Sequence, residues 1–267
     1  MTTCGVSTDM SPAIGIGIGL PFITPGAGGG GGDPAEITVN AVEFDGTNDW
    51  LERDGDWTGS ADGQQGTFVF WVKMNGADNT QFVLYDGSSS FIQILRLTTN
   101  KIELRLNNSV ATLLLNLLST TEFTGVDGWT CILMSWDLSA ALKAHLYFGD
   151  VDKKTEVTKI QGTVDYTRID HGFGATIGGG SKTPGCFAQV YFNPEEYIDF
   201  SVESNRRKFI SVGGKPVDLG SDGSDPTGSV PILFLSGPTV SWHTNDGDGG
   251  GMTEFGALTD CATSPSD

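Results

Sequence analysis

The sequence predicts an all-β fold of two packed antiparallel sheets, and three observations predict it. Apolar and aromatic runs of four to eight residues recur between clusters of Gly, Asp and Asn, which is the pattern of short strands joined by turns. Glycine supplies 38 of the 267 residues, about twice its usual share, which suits turns and weakens helices. Lysine and the other long helix formers are scarce, so little helical periodicity competes with the strands.

Strands are expected, in order, over residues 37–44, 67–74, 82–85, 91–97, 102–106, 111–118, 129–136, 144–148, 163–166 and 185–192, enough for two sheets of five to seven strands. One helix is expected after them. Ser201 is placed as its N-cap, Glu203 lies in the first turn, and Arg206, Arg207 and Lys208 lie near its end, where their charges complement the helix dipole.

Charge divides the chain into three parts. Residues 1–34 contribute −2, residues 35–212 contribute −9 and residues 213–267 contribute −7 to the total of −18. Such an excess of acid opposes binding to phosphate backbones and to anionic membrane surfaces. No run of 18 or more apolar residues is present, so no membrane insertion is expected. The organisation read from these shifts is an extended arm with a Gly-rich tether (1–34), a sandwich (35–212) and an acidic C-terminal extension (213–267) that packs on the domain or on a neighbour.

The arm does not read as a secretory signal, because it lacks a basic leader and alternates Gly with Ile14, Ile16, Ile18 and Leu20, followed by Phe22. Period-two spacing puts the aliphatic side chains on one face, as in a strand added to another protein's sheet or as an edge strand of its own. Five consecutive glycines from Gly28 to Gly32 then form a tether.

Five segments in sequence resemble concanavalin A-like, laminin-G-type jelly rolls. They are Phe44-Asp45-Gly46 leading to Trp50-Leu51, Gly66-Thr67-Phe68-Val69-Phe70-Trp71-Val72, Gly128-Trp129 leading to Ser135-Trp136-Asp137, Leu146-Tyr147-Phe148-Gly149-Asp150, and Ile177-Gly178-Gly179 running on to Phe192. The resemblance spans residues 36–212 and implies a lectin-like jelly roll. The ends, with Asn205-Arg206-Arg207-Lys208, Lys215-Pro216-Val217-Asp218 and His243-Thr244-Asn245, are similar to jelly-roll proteins of tailed bacteriophages. That second resemblance implies a virion accessory protein, with other virion proteins and host-surface glycans as partners and a homo-oligomeric state.

Candidate sites follow from side-chain chemistry. Calcium takes six to eight oxygen ligands, and Asp45, Asn48 and Asp49 in the first loop, with Asp165 and Asp170 from later segments, are the candidate set. The alternative is that the first-loop acids cap turn amides. Trp50, Trp57, Tyr85 and Trp242 lie in or near loops and are candidates for a glycan platform, or else close the ends of the core. Glu195, Glu196, Asp199 and Glu203 lack the strand alternation that a retaining glycosidase needs, and His145, His171 and His243 form no catalytic motif. No enzyme activity is therefore expected, although a glycan depolymerase on the same superfold is the competing reading. Cys131 and Cys186 read as buried thiols, whereas Cys4 and Cys261 lie in the terminal segments, as cross-links to other chains or as free thiols.

Overall fold

The computed structural model describes residue 1 and residues 33–267, except for 77 and 88–91. Cys4 and the proposed anchor residues Ile14, Ile16, Ile18, Leu20 and Phe22 lie outside the described residues. Residues Asp33–Asp267 make one compact unit.

Strands are numbered in chain order. The back sheet runs β10 (Val151–Asp152), β9 (Lys143–Phe148), β8 (Thr130–Asp137), β3 (Gln65–Met74), β13 (Gly185–Asn193), β1 (Val42–Phe44) and β16 (Thr259–Asp260). β14 (Leu233–Leu235) joins β13 through Val190↔Leu235 and Phe192↔Leu233. The front sheet runs β11 (Lys154–Lys159), β7 (Leu113–Ser119), β6 (Ile102–Asn107), β5 (Ile92–Arg96), β4 (Gln81–Asp86), β12 (His171–Phe173), β2 (Trp50–Arg53) and β15 (Thr253–Phe255). Every ladder is antiparallel. The two-sheet antiparallel sandwich expected from the sequence is the fold observed.

Strand period explains the packing. On β3, Phe68, Phe70 and Val72 enter the core between the sheets together with Phe44, Trp136, Phe173, Phe187 and Phe192. Val69 and Trp71 point the other way, into a second apolar cluster with Leu133, Tyr147, Tyr191, Phe200, Phe209 and Leu219. Burial on both faces is why this strand reads as a continuous apolar run instead of an alternating one. Trp136 lies so close to the chain that a Cβ at Gly66 would fall 2.3 Å from its ring. Its indole N–H donates to Tyr166 Oη at 2.7 Å, and Tyr166 donates onward to the Gln65 carbonyl at 2.6 Å, so both buried polar groups are satisfied.

The second cluster is closed by the chain after β13. A short helix, α1 (Glu203–Arg206), begins after Val202, not after Ser201. Ser201 donates both its N–H, at 3.0 Å, and its hydroxyl to Asp199 Oδ1, so the side chain that would cap the helix is engaged elsewhere. Helix and back sheet are tied by Asp150 in the β9–β10 turn, which accepts from Arg206 Nε at 2.8 Å and from Arg207 Nη1 and Nη2 at 2.9 and 2.8 Å. Burial acts to raise the Asp150 carboxyl, but the two guanidiniums outweigh it and hold it below the usual carboxylate range.

The sandwich does not end at residue 212, which corrects the expected boundary. β15 pairs with β2, β16 with β1 and β14 with β13, so the extension supplies strands to both sheets. Asn245 fixes this return. Its Oδ1 accepts from Phe234 N at 2.7 Å, and its Nδ2 donates to the Ile232 and Gly250 carbonyls at 2.8 and 2.9 Å. Long-range pairing of this kind leaves no local sequence signal. For the same reason β2, β11 and β12 were absent from the expected list, while residues 163–166 contribute only the isolated bridge Gly63↔Val164.

Cysteine pairing also departs from expectation. Cys186 in β13 and Cys261 beyond β16 form a disulfide across a sequence separation of 75, leaving Cys131 as the buried free thiol among the described residues. Cys261 is thus a tie within the chain and not a free cross-linker to a neighbour, because β16 returns the chain along β1, which itself pairs with β13. Opening the disulfide by Cys261→Ser is expected to lower stability by about 2–5 kcal/mol in denaturant unfolding. Peptide mapping without reductant should recover the 186–261 pair. The Asp150 contribution is present above the unfolded carboxylate pKa and disappears as pH falls through the depressed folded value. Asp150→Asn should therefore flatten the acid limb of the stability profile, while a stability loss equal at all pH values would refute this origin.

Candidate functional site

The back sheet has its outer face covered by the 194–235 segment, so a broad binding surface is sought on the outer face of the front sheet. Register assembles one there. Reading across the strands, Thr253 pairs with Glu52, Glu52 with Gly172, and Gly172 with Tyr85. Tyr85 pairs with Gln93, Gln93 with Arg105, and Arg105 with Asn116. A second row places Phe82 beside Leu95, Leu95 beside Glu103 and Glu103 beside Leu118. None of these residues belongs to either buried apolar cluster.

Bonds within the face set its electrostatics. Asn116 Nδ2 donates to Glu103 Oε1 at 2.9 Å, and Arg105 Nη2 lies 3.0 Å from Glu103 Oε2. This pairing lets Glu103 sit 4 % exposed without an uncompensated charge. Tyr85 packs edge-on against Phe82 at 5.3 Å between centroids. Burial, followed by the Asp86 charge, raises its phenol pKa, so its hydroxyl stays protonated and able to donate at neutral pH.

At the edge of the same sheet, Trp50 and Phe255 stack with centroids 4.5 Å apart and planes within 2°. Lys182 Nζ stands 4.9 Å from the Trp50 ring centre, and Trp50 Nε1 donates to Glu52 Oε2 at 3.1 Å. Gly179, at φ +73°, lets the chain pass the indole, since a Cβ there would lie 2.9 Å from the ring. Trp50 is half-buried and Phe255 is exposed, so Trp50 backs the platform and Phe255 presents it. Phe255 was not among the expected glycan residues, because only the β2–β15 pairing brings it to Trp50 from the far end of the chain.

The other two candidate tryptophans are structural. Trp242 is 1 % exposed and packs edge-on against Phe44 and Phe173. Trp57 is 3 % exposed and lies against the His171 ring at 4.5 Å. Both are removed from the candidate platform for the same reason: large apolar side chains from end loops fill the ends of the sandwich.

The five candidate calcium ligands do not converge. Asp45 Oδ1 accepts from Thr47 N at 2.6 Å and Asn48 N at 3.0 Å, which is the turn-capping alternative, and Asn48 is an exposed member of that turn. Asp49 is buried and binds the Asp45 and Ala257 amides at 3.0 and 3.1 Å, pinning the first loop to the C-terminal return. Asp165 Oδ2 pairs with Arg168 Nε at 2.7 Å, and Asp170, at φ +74°, gives its carbonyl to the Gly87 amide. Among the described residues no group of three or more His, Cys, Asp or Glu side chains is arranged to hold a metal ion. The carboxylates considered for glycosidase chemistry are likewise engaged: Glu196 accepts from Ser229 Oγ at 3.0 Å, and Asp199 lies 3.3 Å from His145 Nε2.

Comparison with known proteins places the fold. No protein-family model matches the sequence, and no curated protein matches it. Among solved structures, a "putative carbohydrate binding protein" from Bacteroides ovatus aligns with a TM-score of 0.54 at 10% identity, over 84% of this chain and 60% of that one. The present chain therefore spans about three fifths of that protein's length. The receptor binding domain of botulinum neurotoxin C/D mosaic serotype aligns at a TM-score of 0.45 and 13% identity, over 69% of this chain and 48% of that one.

Gly179→Ala should destabilise the protein by about 1–3 kcal/mol through overpacking. Displacement of Trp50 should also red-shift its fluorescence, and an unchanged spectrum would show that the platform does not depend on this glycine. The described chain is an all-β, two-sheet antiparallel sandwich of the concanavalin A-like kind.

Proposed function

We propose that this chain is a non-enzymatic glycan-binding module that engages saccharides on the outer face of its front sheet. The observation that carries the reading is the half-buried set Glu52, Tyr85 and Arg105, in register across that sheet with the buried Gln93 and Asn116, together with the Phe255–Trp50 platform at its edge. Donors and acceptors held by a rigid sheet suit sugar hydroxyls, and a flat aromatic suits the apolar face of a pyranose ring. The printed description of the Bacteroides ovatus protein agrees with this ligand class, although likeness at 10% identity speaks for the fold alone.

The setting proposed for the module is the particle of a tailed bacteriophage, as an oligomeric accessory protein meeting host-surface glycans. Support for that setting comes from the sequence resemblance of the ends. The Cys186–Cys261 disulfide adds an argument for work outside a reducing cytosol. Nothing in the arrangement of Glu195, Glu196, Asp199 and Glu203 favours the depolymerase alternative.

Screening the full chain on an array of bacterial surface glycans tests the module. Tyr85→Ala and Trp50→Ala should each weaken binding about tenfold, equivalent to roughly 1.4 kcal/mol. Unchanged binding in both variants would move the site elsewhere, and release of new reducing ends from the glycan would establish the depolymerase instead.

A further inference from the structure

A cleft lies where strand ends of both sheets meet. The segment that covers the back sheet reaches the edge of β3 and β8 at Ile210 and Gly214. Beyond them a cleft of about 470 Å³ opens, lined by the half-buried Trp129 and Phe148 and by the buried Trp71 and Phe123. Its volume falls within the range of small-ligand sites, roughly 300–1,000 Å³. Trp71 and Cys131 line it from the covered face of the back sheet and Phe123 and Phe148 from the core between the sheets, and it shares no residue with the front-sheet row.

The walls are fixed before any ligand arrives. Trp129 is half-buried, and its indole N–H donates to Thr263 Oγ1 at 3.1 Å, a residue held in place two positions beyond the Cys261 disulfide. Phe123 and Phe148 pack edge-on at 5.5 Å between centroids. Gly149 and Gly214, both lining the cleft, add no side chain to narrow it. Preorganised walls of this kind lower the ordering cost of binding.

The polar groups at the cleft are of both kinds. Glu122 offers carboxylate acceptors and Lys153 an ammonium donor, and among the described residues neither side chain has a hydrogen bond or ion pair. Asp127 Oδ2 is occupied by Thr124 Oγ1 at 3.1 Å and by the Thr124 amide, which leaves its other oxygen for a ligand. Cys131 at the base is fully buried, and burial pushes its thiol far above the usual range, so it serves as an inert wall. The two carboxylates oppose an anion, and Lys153 offsets their attraction for a cation. A neutral polyol satisfies both, because each hydroxyl both donates and accepts.

We propose that the Trp129 cleft is a second saccharide site, specific for a neutral pyranoside with equatorial hydroxyls, which gives the domain two separate glycan contacts. Equatorial hydroxyls leave the ring's C–H faces apolar, to lie against aromatic walls, and direct the oxygens outward to Glu122 and Lys153. The assignment shares its ligand class with the proposed function but none of its residues. Two separate contacts would let one module bridge two chains, gaining avidity without tight binding at either site.

Cellobiose, a glucose disaccharide of this geometry, is the probe, titrated into the full chain and followed by the indole N–H resonances of the six tryptophans. The Trp129 resonance is identified by its loss in Trp129→Phe. It should shift saturably, with Glu122→Gln and Lys153→Ala each weakening the effect about tenfold and Tyr85→Ala leaving it in place. Undisturbed resonances from the other tryptophans in the unliganded variants verify their fold. An immobile Trp129 signal, a titration unaltered in both cleft variants, or its abolition by Tyr85→Ala would each overturn the proposal. Failure of the front-sheet reading shows separately, as glycan-array binding indifferent to Tyr85→Ala and Trp50→Ala while the Trp129 shift persists.

Discussion

Burial of β3 and β13 on both faces is the constraint from which the rest of the structure follows. A sandwich sheet ordinarily keeps one wet face. Here Trp71, Val69, Ala188 and Tyr191 on the outer side of the back sheet are themselves apolar, and the chain after β13 must return over them with Ile198, Phe200, Phe209 and Leu219. The molecule is in effect three layers thick. That return covers most of the back sheet and leaves the half-buried Glu52, Tyr85 and Arg105 on the opposite sheet, while its incomplete edge leaves the Trp129 cleft.

The return has to be held against conformational entropy, and the C-terminal residues do this with several independent ties. Cys261 is bonded to Cys186, Asn245 satisfies three backbone groups on two segments, and Asp49 holds the Ala257 amide from the first loop. These ties act where edge strands would otherwise fray, since β15 and β16 are short and exposed. Phe255 on β15 and Thr263 beyond β16 therefore inherit fixed positions, and each meets a tryptophan at a candidate binding surface.

Tryptophan shows how fold and site divide one residue type. Trp136 and Trp242 are wholly interior, Trp57 closes one end against His171, and Trp71 lines the covered face. Trp50 and Trp129 keep partial exposure because each sits at the margin of a sheet, where packing ends on one side. The useful distinction is margin against interior, and strand pairing decides it.

Sequence by itself determined the strand-rich class, the two-sheet sandwich and most central strands, because period-two apolar runs bounded by Gly, Asp and Asn are local signals. It left Asp45 open between a calcium ligand and a turn cap, and it read Trp71, Trp129 and Trp136 alike as core, where Trp71 and Trp136 are buried and Trp129 is half-buried. Only the tertiary structure decided that Trp242 lies in the core, that Cys261 meets Cys186, and that Phe255 stacks on Trp50. It likewise separated Asp165 and Asp170 from the first-loop acids. Each of these depends on which distant strands become neighbours, and that is fixed by the collective burial of both sheets rather than by any short stretch of residues.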